Sequence, residues 1–261
     1  CTILWADGGT GKSYFALFLA TLISEGQEYV NSEHGLLIKP GNVLYLDYET
    51  TQSSVASRVR KIHRGLGIER ASRIVYRHME LPLAQDVDAI RDICHRRNTD
   101  VVFLDSMGLG VAGELESSTE VLDFFRAISA IGKTSLVITH SNRSGTLFGS
   151  AYTSNAARSV VEAKKTGGSW GEGSIDFALF HRKANDVELQ PAQSWSMKFE
   201  GDQVAYTRGD VFQTDAAGSL SYADLVYRIL NESAEPRTRE YLEETIAGLK
   251  DLAVDKVRRN V

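Results

Sequence analysis

The densest chemistry in this 261-residue chain lies at residues 6–13, Ala6-Asp7-Gly8-Gly9-Thr10-Gly11-Lys12-Ser13. Glycines spaced like this let a backbone take left-handed conformations that a Cβ disfavours, and Gly8, Gly9 and Gly11 are the expected users of that freedom. The loop N–H groups then turn inward as a nest for an anion. A helix opening at Lys12 aims its positive end at the same point. Lys12 would reach the β- and γ-phosphates of a nucleoside triphosphate, and the Ser13 hydroxyl would ligate Mg²⁺. The pattern is GxxxxGK[ST] with one departure, Ala6 in place of the first glycine, which leaves the tight turn there less assured. Residues 7–14, namely Asp7, Gly8, Gly9, Thr10, Gly11, Lys12, Ser13 and Tyr14, are the expected nucleotide contacts.

Phosphoryl transfer to water also needs a metal-holding carboxylate, a base and a stabilising cation. Asp105 ends the apolar run Val101-Val102-Phe103-Leu104. Taken with the loop upstream it is the expected second Mg²⁺ residue; alone, it could simply cap the turn that follows. Asp47 and Glu49 follow the run Val43-Leu44-Tyr45-Leu46. Either could orient the attacking water, since strand alternation would point both the same way. His140 ends the run at residues 134–139, where it is either a structural histidine or a group facing the site. Arg158 and Lys183 are candidate cations, though a lone surface cation is the commoner explanation of such residues.

These residues need elements to hold them at one end of a sheet. Buried strands are expected at residues 2–6, 43–47, 101–105 and 134–139, with a shorter one at 73–77. Helices are expected at 12–24, after Glu49 with Val55, Val59 and Ile62 on one face, at 86–97 and at 119–131. Strands near 159–164 and 174–181 continue the sheet, and 196–207 reads as an antiparallel hairpin. Residues 26–39, 106–118 and 141–148 read as loops, the second of them flexible. The alternation specifies an α/β fold with a mostly parallel sheet, which binds ligands at the carboxyl ends of its strands. Composition shifts after Asp210. Residues 1–210 form the main domain, 211–219 a linker, and 220–261 a helical segment with helices at 221–230, 238–246 and 253–259. The last two could form part of a winged helix-turn-helix that presents Lys256, Arg258 and Arg259 to phosphate, or a small helical cap.

The bulk numbers remove other classes. Hydrophobic residues make up 43% and charged residues 24%, ordinary for a globular chain. The net charge of −5 does not describe a basic nucleic-acid binder. No run approaches the roughly 18 apolar residues of a membrane helix, and no membrane partner is expected. Cys1 and Cys94 form neither a disulfide framework nor a metal motif, which suits a cytoplasmic protein. The chain starts at Cys1, immediately before the first strand, so a missing N-terminal part is expected.

Seven stretches occur in order: Gly8-Gly9-Thr10-Gly11-Lys12-Ser13, residues 43–49, Val102-Phe103-Leu104-Asp105-Ser106, Leu136-Val137-Ile138-Thr139-His140, Phe148-Gly149-Ser150, Ala156-Ala157-Arg158-Ser159 and His181-Arg182-Lys183-Ala184-Asn185. Across residues 2–207 they resemble the RecA-like P-loop ATPases related to the plasmid-type RepA hexameric replicative helicase, a group common in phages and mobile elements. The resemblance implies Mg²⁺-dependent ATP hydrolysis with Glu49 as base and His140 as sensor. It further implies a homo-oligomeric ring, with a hexamer as the family form. There Arg158, and with it Lys183, would reach a neighbour's nucleotide, and single-stranded DNA would meet loops lining the pore. The pore-loop candidates, 107–118 and 141–148, carry Glu114, Glu116 and a single base, Arg143. Backbone phosphate binding wants several cations, so the sequence leaves two readings: a DNA-dependent motor, or an ATP-switched regulator of DNA or protein binding. A third, in which Ala6 leaves hydrolysis vestigial, depends on the turn at that residue.

Overall fold

The computed structural model describes residues 1–26, 38–149 and 151–261. Most of the loop expected at 26–39, and Ser150 of the Phe148-Gly149-Ser150 stretch, lie outside the described residues. Strand β1 (Thr2–Ala6) leads through the glycine loop into helix α1 (Lys12–Glu25). Then follow β2 (Val43–Asp47), α2 (Gln52–Gly65), β3 (Val75–His78), α3 (Val87–Arg96) and β4 (Val101–Asp105). After a four-residue helix, α4 (Met107–Gly110), come α5 (Ser118–Ile131), β5 (Thr134–His140) and α6 (Ala151–Ala156). The hairpin β6 (Ser159–Ser169) and β7 (Ser174–Ala184) precedes a second, β8 (Gln193–Glu200) and β9 (Gln203–Gly209). Helices α7 (Tyr222–Glu232), α8 (Arg239–Lys250) and α9 (Val254–Val257) close the chain.

One sheet runs β3-β2-β4-β5-β1-β6-β7-β8-β9. Its first six strands are parallel and the last three pairings antiparallel. The central strands β1, β2 and β4 are short and almost wholly apolar because both faces are covered. One face packs Leu4, Tyr45 and Phe103 against α1 and α2, with Phe177, Trp195 and Tyr206 closing over α1. The other packs Leu44, Leu104 and Val137 against α3 and α5. Both helices α2 and α5 carry an N-cap hydroxyl, Thr51 and Ser117, which accepts a backbone N–H of the first turn. No helix among the described residues is long and apolar enough to cross a membrane.

Four expectations are corrected. Strand β3 begins at Val75, two residues later than expected, because Arg73 is held by its N–H on Glu25. Residues 106–118 are no free loop, since α4 and the buried Met107, Val111 and Leu115 pin them to the second core. Strands β6 and β7 are eleven residues each, well beyond 159–164 and 174–181. At the C-terminus α9 spans only Val254–Val257, short of the 253–259 expected, and Arg258 is turned to Glu243 at 3.1 Å. In residues 211–219 two 3₁₀ turns form, and Val211 and Ala216 are buried with Ala178 and Phe180.

Candidate functional site

The carboxyl ends of β2, β4, β5 and β1 open on the glycine loop, and a cleft of about 230 Å³ lies there. Two of the three loop glycines use left-handed backbone, Gly9 at φ 75° and Gly11 at φ 86°, whereas Gly8 does not. Gly11 is also the N-cap of α1, and a Cβ there would overlap the Met197 methyl. Ala6 is the last residue of β1, buried and paired with His140 in the ladder. The departure from glycine therefore falls on extended strand, where a Cβ costs nothing, and the turn begins after it.

Lys12 is the centre of the cleft. Its Nζ donates to the carbonyls of Ala6 and Asp7, each at 2.9 Å, and stands 3.3 Å from His140 Nδ1. Burial lowers its pKa to about 8, against the opposing pull of Asp105, Glu49 and Asp7. An ammonium can only donate, so Nδ1 accepts and the imidazole proton sits on Nε2. That nitrogen lies 3.5 Å from Glu49 Oε1. The Ser106 hydroxyl donates to the same oxygen at 2.6 Å. The His140 contact, then Ser106 and the charge of Lys12, hold the Glu49 carboxyl at about 2 although burial pushes the other way. Thr10 and Asp7 brace the loop: Thr10 Oγ1 donates to Asp7 O at 2.9 Å, and the Asp7 carboxylate accepts from the Ser141 hydroxyl.

Asp47 and Glu49 part company. Strand β2 ends at Asp47, so alternation does not carry on to Glu49 as expected. The buried Asp47 accepts from the Glu49 N–H at 2.9 Å, the Thr50 N–H at 3.2 Å and the Thr50 hydroxyl at 2.6 Å. This Asx turn uses up the Asp47 carboxylate and swings Glu49 toward β5. Asp105, on the neighbouring strand, accepts from Tyr45 at 2.9 Å. Burial raises its pKa to about 6, with Ser13 and Tyr45 pulling down.

Arg158 and Lys183 do not line this cleft. Arg158 forms a two-pronged ion pair with Asp186 at 2.6 and 2.9 Å. Lys183 Nζ donates to the carbonyls of Ser154, Asn155 and Ala157, at 2.7 to 3.1 Å, closing the end of α6. Tyr14 also lines this cleft. Its carbonyl accepts from Tyr206 at 3.0 Å and its ring faces Trp170 at 5.5 Å.

Sequence reasoning missed four lining or supporting residues: Ser106, Tyr45, Arg58 and Trp170. Ser106 and Tyr45 had a signal, since one follows Asp105 directly and the other lies on the strand paired with it. Arg58 and Trp170 depend on where α2 and the tip of the β6–β7 hairpin fall, which no local spacing specifies.

A divalent cation fits the donors present. The Ser13 side chain and the Asp105 carboxylate are adjacent oxygen donors of the kind Mg²⁺ takes. The raised pKa of Asp105 is the cost of a buried carboxylate, which a bound cation would reverse.

A family model for the AAA domain matches residues 1–146. That span holds the loop, Glu49, Asp105 and His140. A KaiC-like protein from the hyperthermophilic archaeon Pyrococcus horikoshii is similar in structure, with a TM-score of 0.52 and 14% identity over 79% of this chain and 88% of that one. At that identity the likeness speaks for the fold, which is RecA-like. No curated protein matches the chain.

Proposed function

This chain belongs to the AAA domain family, within the RecA-like P-loop ATPases, and from that premise we propose that it hydrolyses ATP at the Lys12–Glu49 cleft as a DNA-dependent motor. The observation that carries the reading is the row Lys12, His140, Glu49, which spans the cleft from the phosphate loop to a carboxylate that His140 and Ser106 hold. Lys12 and the loop N–H groups bind the β- and γ-phosphates. Ser13 and Asp105 would hold Mg²⁺, which would supply neutralisation of phosphate charge. Glu49 accepts the proton of the attacking water. At a pKa of about 2 it is too weak a base while His140 and Ser106 both hold it. Drawing Lys12 onto phosphate frees His140 Nδ1, which loosens the His140–Glu49 contact and restores basicity; His140 is thereby the sensor. A base so placed contributes about 10²- to 10⁴-fold.

The motor reading extends this to a ring. Arg158, and behind it Lys183, would serve the nucleotide of a neighbouring copy, and single-stranded DNA would meet residues 107–118 and 141–148. Both loops leave the sheet at the same end as the cleft, and Ser106 joins Glu49 directly to the first of them. The second reading, an ATP-switched DNA- or protein-binding regulator, is favoured by the scarcity of cations in those loops. Either would act in the cytoplasm. The test is ATP turnover with Mg²⁺, with and without single-stranded DNA, followed by strand displacement. Turnover raised several-fold by DNA, with displacement, is expected of the motor; turnover indifferent to DNA would replace it with the switch.

A further inference from the structure

A second cavity lies away from the glycine loop, between helix α2 and the segment that leads into β3, the outermost strand of the sheet. It encloses about 810 Å³, against 230 Å³ at the phosphate cleft, and falls within the roughly 300–1,000 Å³ of small-molecule sites. One wall is a stripe of α2, where Val55, Ala56, Val59, Arg60 and His63 share a face by their spacing of three and four. Ile68, Ile74 and Tyr76 line the other. That second wall is anchored: the buried Glu25 carboxylate accepts from Arg70 Nε at 2.6 Å and from the Arg73 N–H at 3.0 Å. The lining also holds an unanswered polar atom. His63 is 5% exposed, and its Nδ1 lies 3.2 Å from the Arg70 carbonyl, which can only accept, so Nδ1 holds the proton. Nε2 is left as a buried acceptor with no hydrogen-bond partner among the described residues, whereas buried polar groups are nearly always paired. Arg60, exposed and one turn earlier on the stripe, forms no ion pair among the described residues, while Arg64 and Arg70 are paired with Asp202 and Glu25. Among the described lining residues these three arginines stand against a single acid, Glu69.

We propose that this cavity binds a small carboxylic acid with an apolar body, its carboxyl group meeting His63 Nε2 and Arg60 and its chain lying along Val55, Val59 and Ile74. The acid O–H donates to Nε2, or its proton passes to Nε2 and the imidazolium donates back to the carboxylate; one hydrogen bond joins the pair either way. The acceptor is buried while Arg60 is exposed, so the occupant enters the cavity rather than lying across its mouth, as a small molecule does and a protein surface does not. The site reaches the chemistry through Tyr76. This residue lines the cavity, and its hydroxyl is shared between Asp47 Oδ2 at 3.3 Å and the Thr50 carbonyl at 3.1 Å. Asp47 and Thr50 make the turn that aims Glu49. An occupant packed on Tyr76 stiffens that turn, which makes Tyr76 a positioning residue. The link to hydrolysis rests on the Glu49 reading above; the binding does not.

The test is titration calorimetry of the full chain with octanoate, 1-octanol and octylammonium. Octanoate should bind one site per chain, octanol several-fold more weakly, and octylammonium not at all. Arg60→Ala should weaken octanoate several-fold and leave octanol unchanged. Ala56→Trp, which fills the cavity, should abolish both, with native circular dichroism reporting that each variant is folded. Octanoate should also slow amide hydrogen exchange at Glu49 and Thr50, and in Tyr76→Phe it should still bind but lose that effect. No binding of octanoate, equal binding of all three probes, or octanoate binding that survives Ala56→Trp would overturn the site. Octanoate that binds and leaves exchange at Glu49 and Thr50 unchanged would overturn the link to the turn. Both readouts are taken without ATP, so a failure of the hydrolysis reading would leave them standing.

Discussion

Lys12 carries a charge that its surroundings resist. Its pKa of about 8 in the folded chain lies below the 10.5 of an exposed lysine, and burial is the main cause. The cost of that buried ammonium is fully present below pH 8 and is relieved as the folded form loses its proton. Between about 8 and 10.5 the unfolded chain binds more protons, so this group makes stability rise with pH. Phosphate binding runs the other way, because the loop needs the ammonium. Tripolyphosphate affinity of the free protein should fall as pH rises through about 8, measured by titration calorimetry; constant affinity from pH 7 to 9.5 would contradict it. Asp105 presents the opposite case, an acid held up to about 6 by burial. Its charge destabilises the metal-free fold above pH 6, and the penalty fades as pH falls through that value. Asp105→Asn should therefore raise the melting temperature of the free protein, by up to about 3 kcal/mol of stability, while abolishing the gain that Mg²⁺-ATP gives the wild type. At this scale Asp105 and His140 were legible in the sequence because each ends a buried strand, and Lys12 because it closes the glycine loop. The choice between Asp47 and Glu49 was not, because it is made by three hydrogen bonds of an Asx turn that begins where the strand stops.

The elements that hold these residues divide in the same way. Strands β1, β2 and β4 are nearly continuous apolar runs, and β5 has the apolar centre Leu136-Val137-Ile138; such runs declare themselves. The length of the β6–β7 hairpin does not: its residues 163–169 include Lys164, Lys165, Gly167 and Gly168, and its ladder is interrupted by irregularities near Val160 and Lys165. Trp170 was invisible for that reason. Residues 106–118 looked like a flexible glycine loop, yet Met107, Val111 and Leu115 are the buried anchors of a turn. The glycine loop offers a direct contrast. Gly11→Ala meets a φ of 86° and the Met197 methyl, so it should cost about 1–2 kcal/mol and lower the melting temperature by several degrees. Gly8→Ala has open space and no left-handed backbone, and should leave thermal stability within about half a kcal/mol. Equal losses in the two variants, read by thermal denaturation, would mean that the loop geometry is wrong.

At the scale of the whole molecule, Arg158 and Lys183 lie on the far side of β1 from His140 and Glu49, along the β6–β7 pair. Both have partners within the chain, Asp186 for one and three carbonyls for the other. In the proposed ring Arg158 would serve a neighbour's phosphates once it exchanges its Asp186 partner. Arg158→Ala and Glu49→Gln should each be inactive alone, and an equimolar mixture should regain turnover, since some interfaces then pair an intact Glu49 with an intact Arg158. Full activity in Arg158→Ala, or no recovery on mixing, would place the cation elsewhere. The helical segment at 220–261 has its own small core around Leu225, Ile246 and Val257. Its basic residues were legible, but not their use: Arg258 is spent on Glu243.

The most direct measurement is steady-state turnover of Mg²⁺-ATP by the wild type and Glu49→Gln, with ATP affinity determined on the same samples. Loss of about 100-fold or more in rate, with affinity kept within a few-fold, is the predicted result for a base that touches only the attacking water. Turnover within a few-fold of wild type would contradict the assignment of the cleft's chemistry to Glu49.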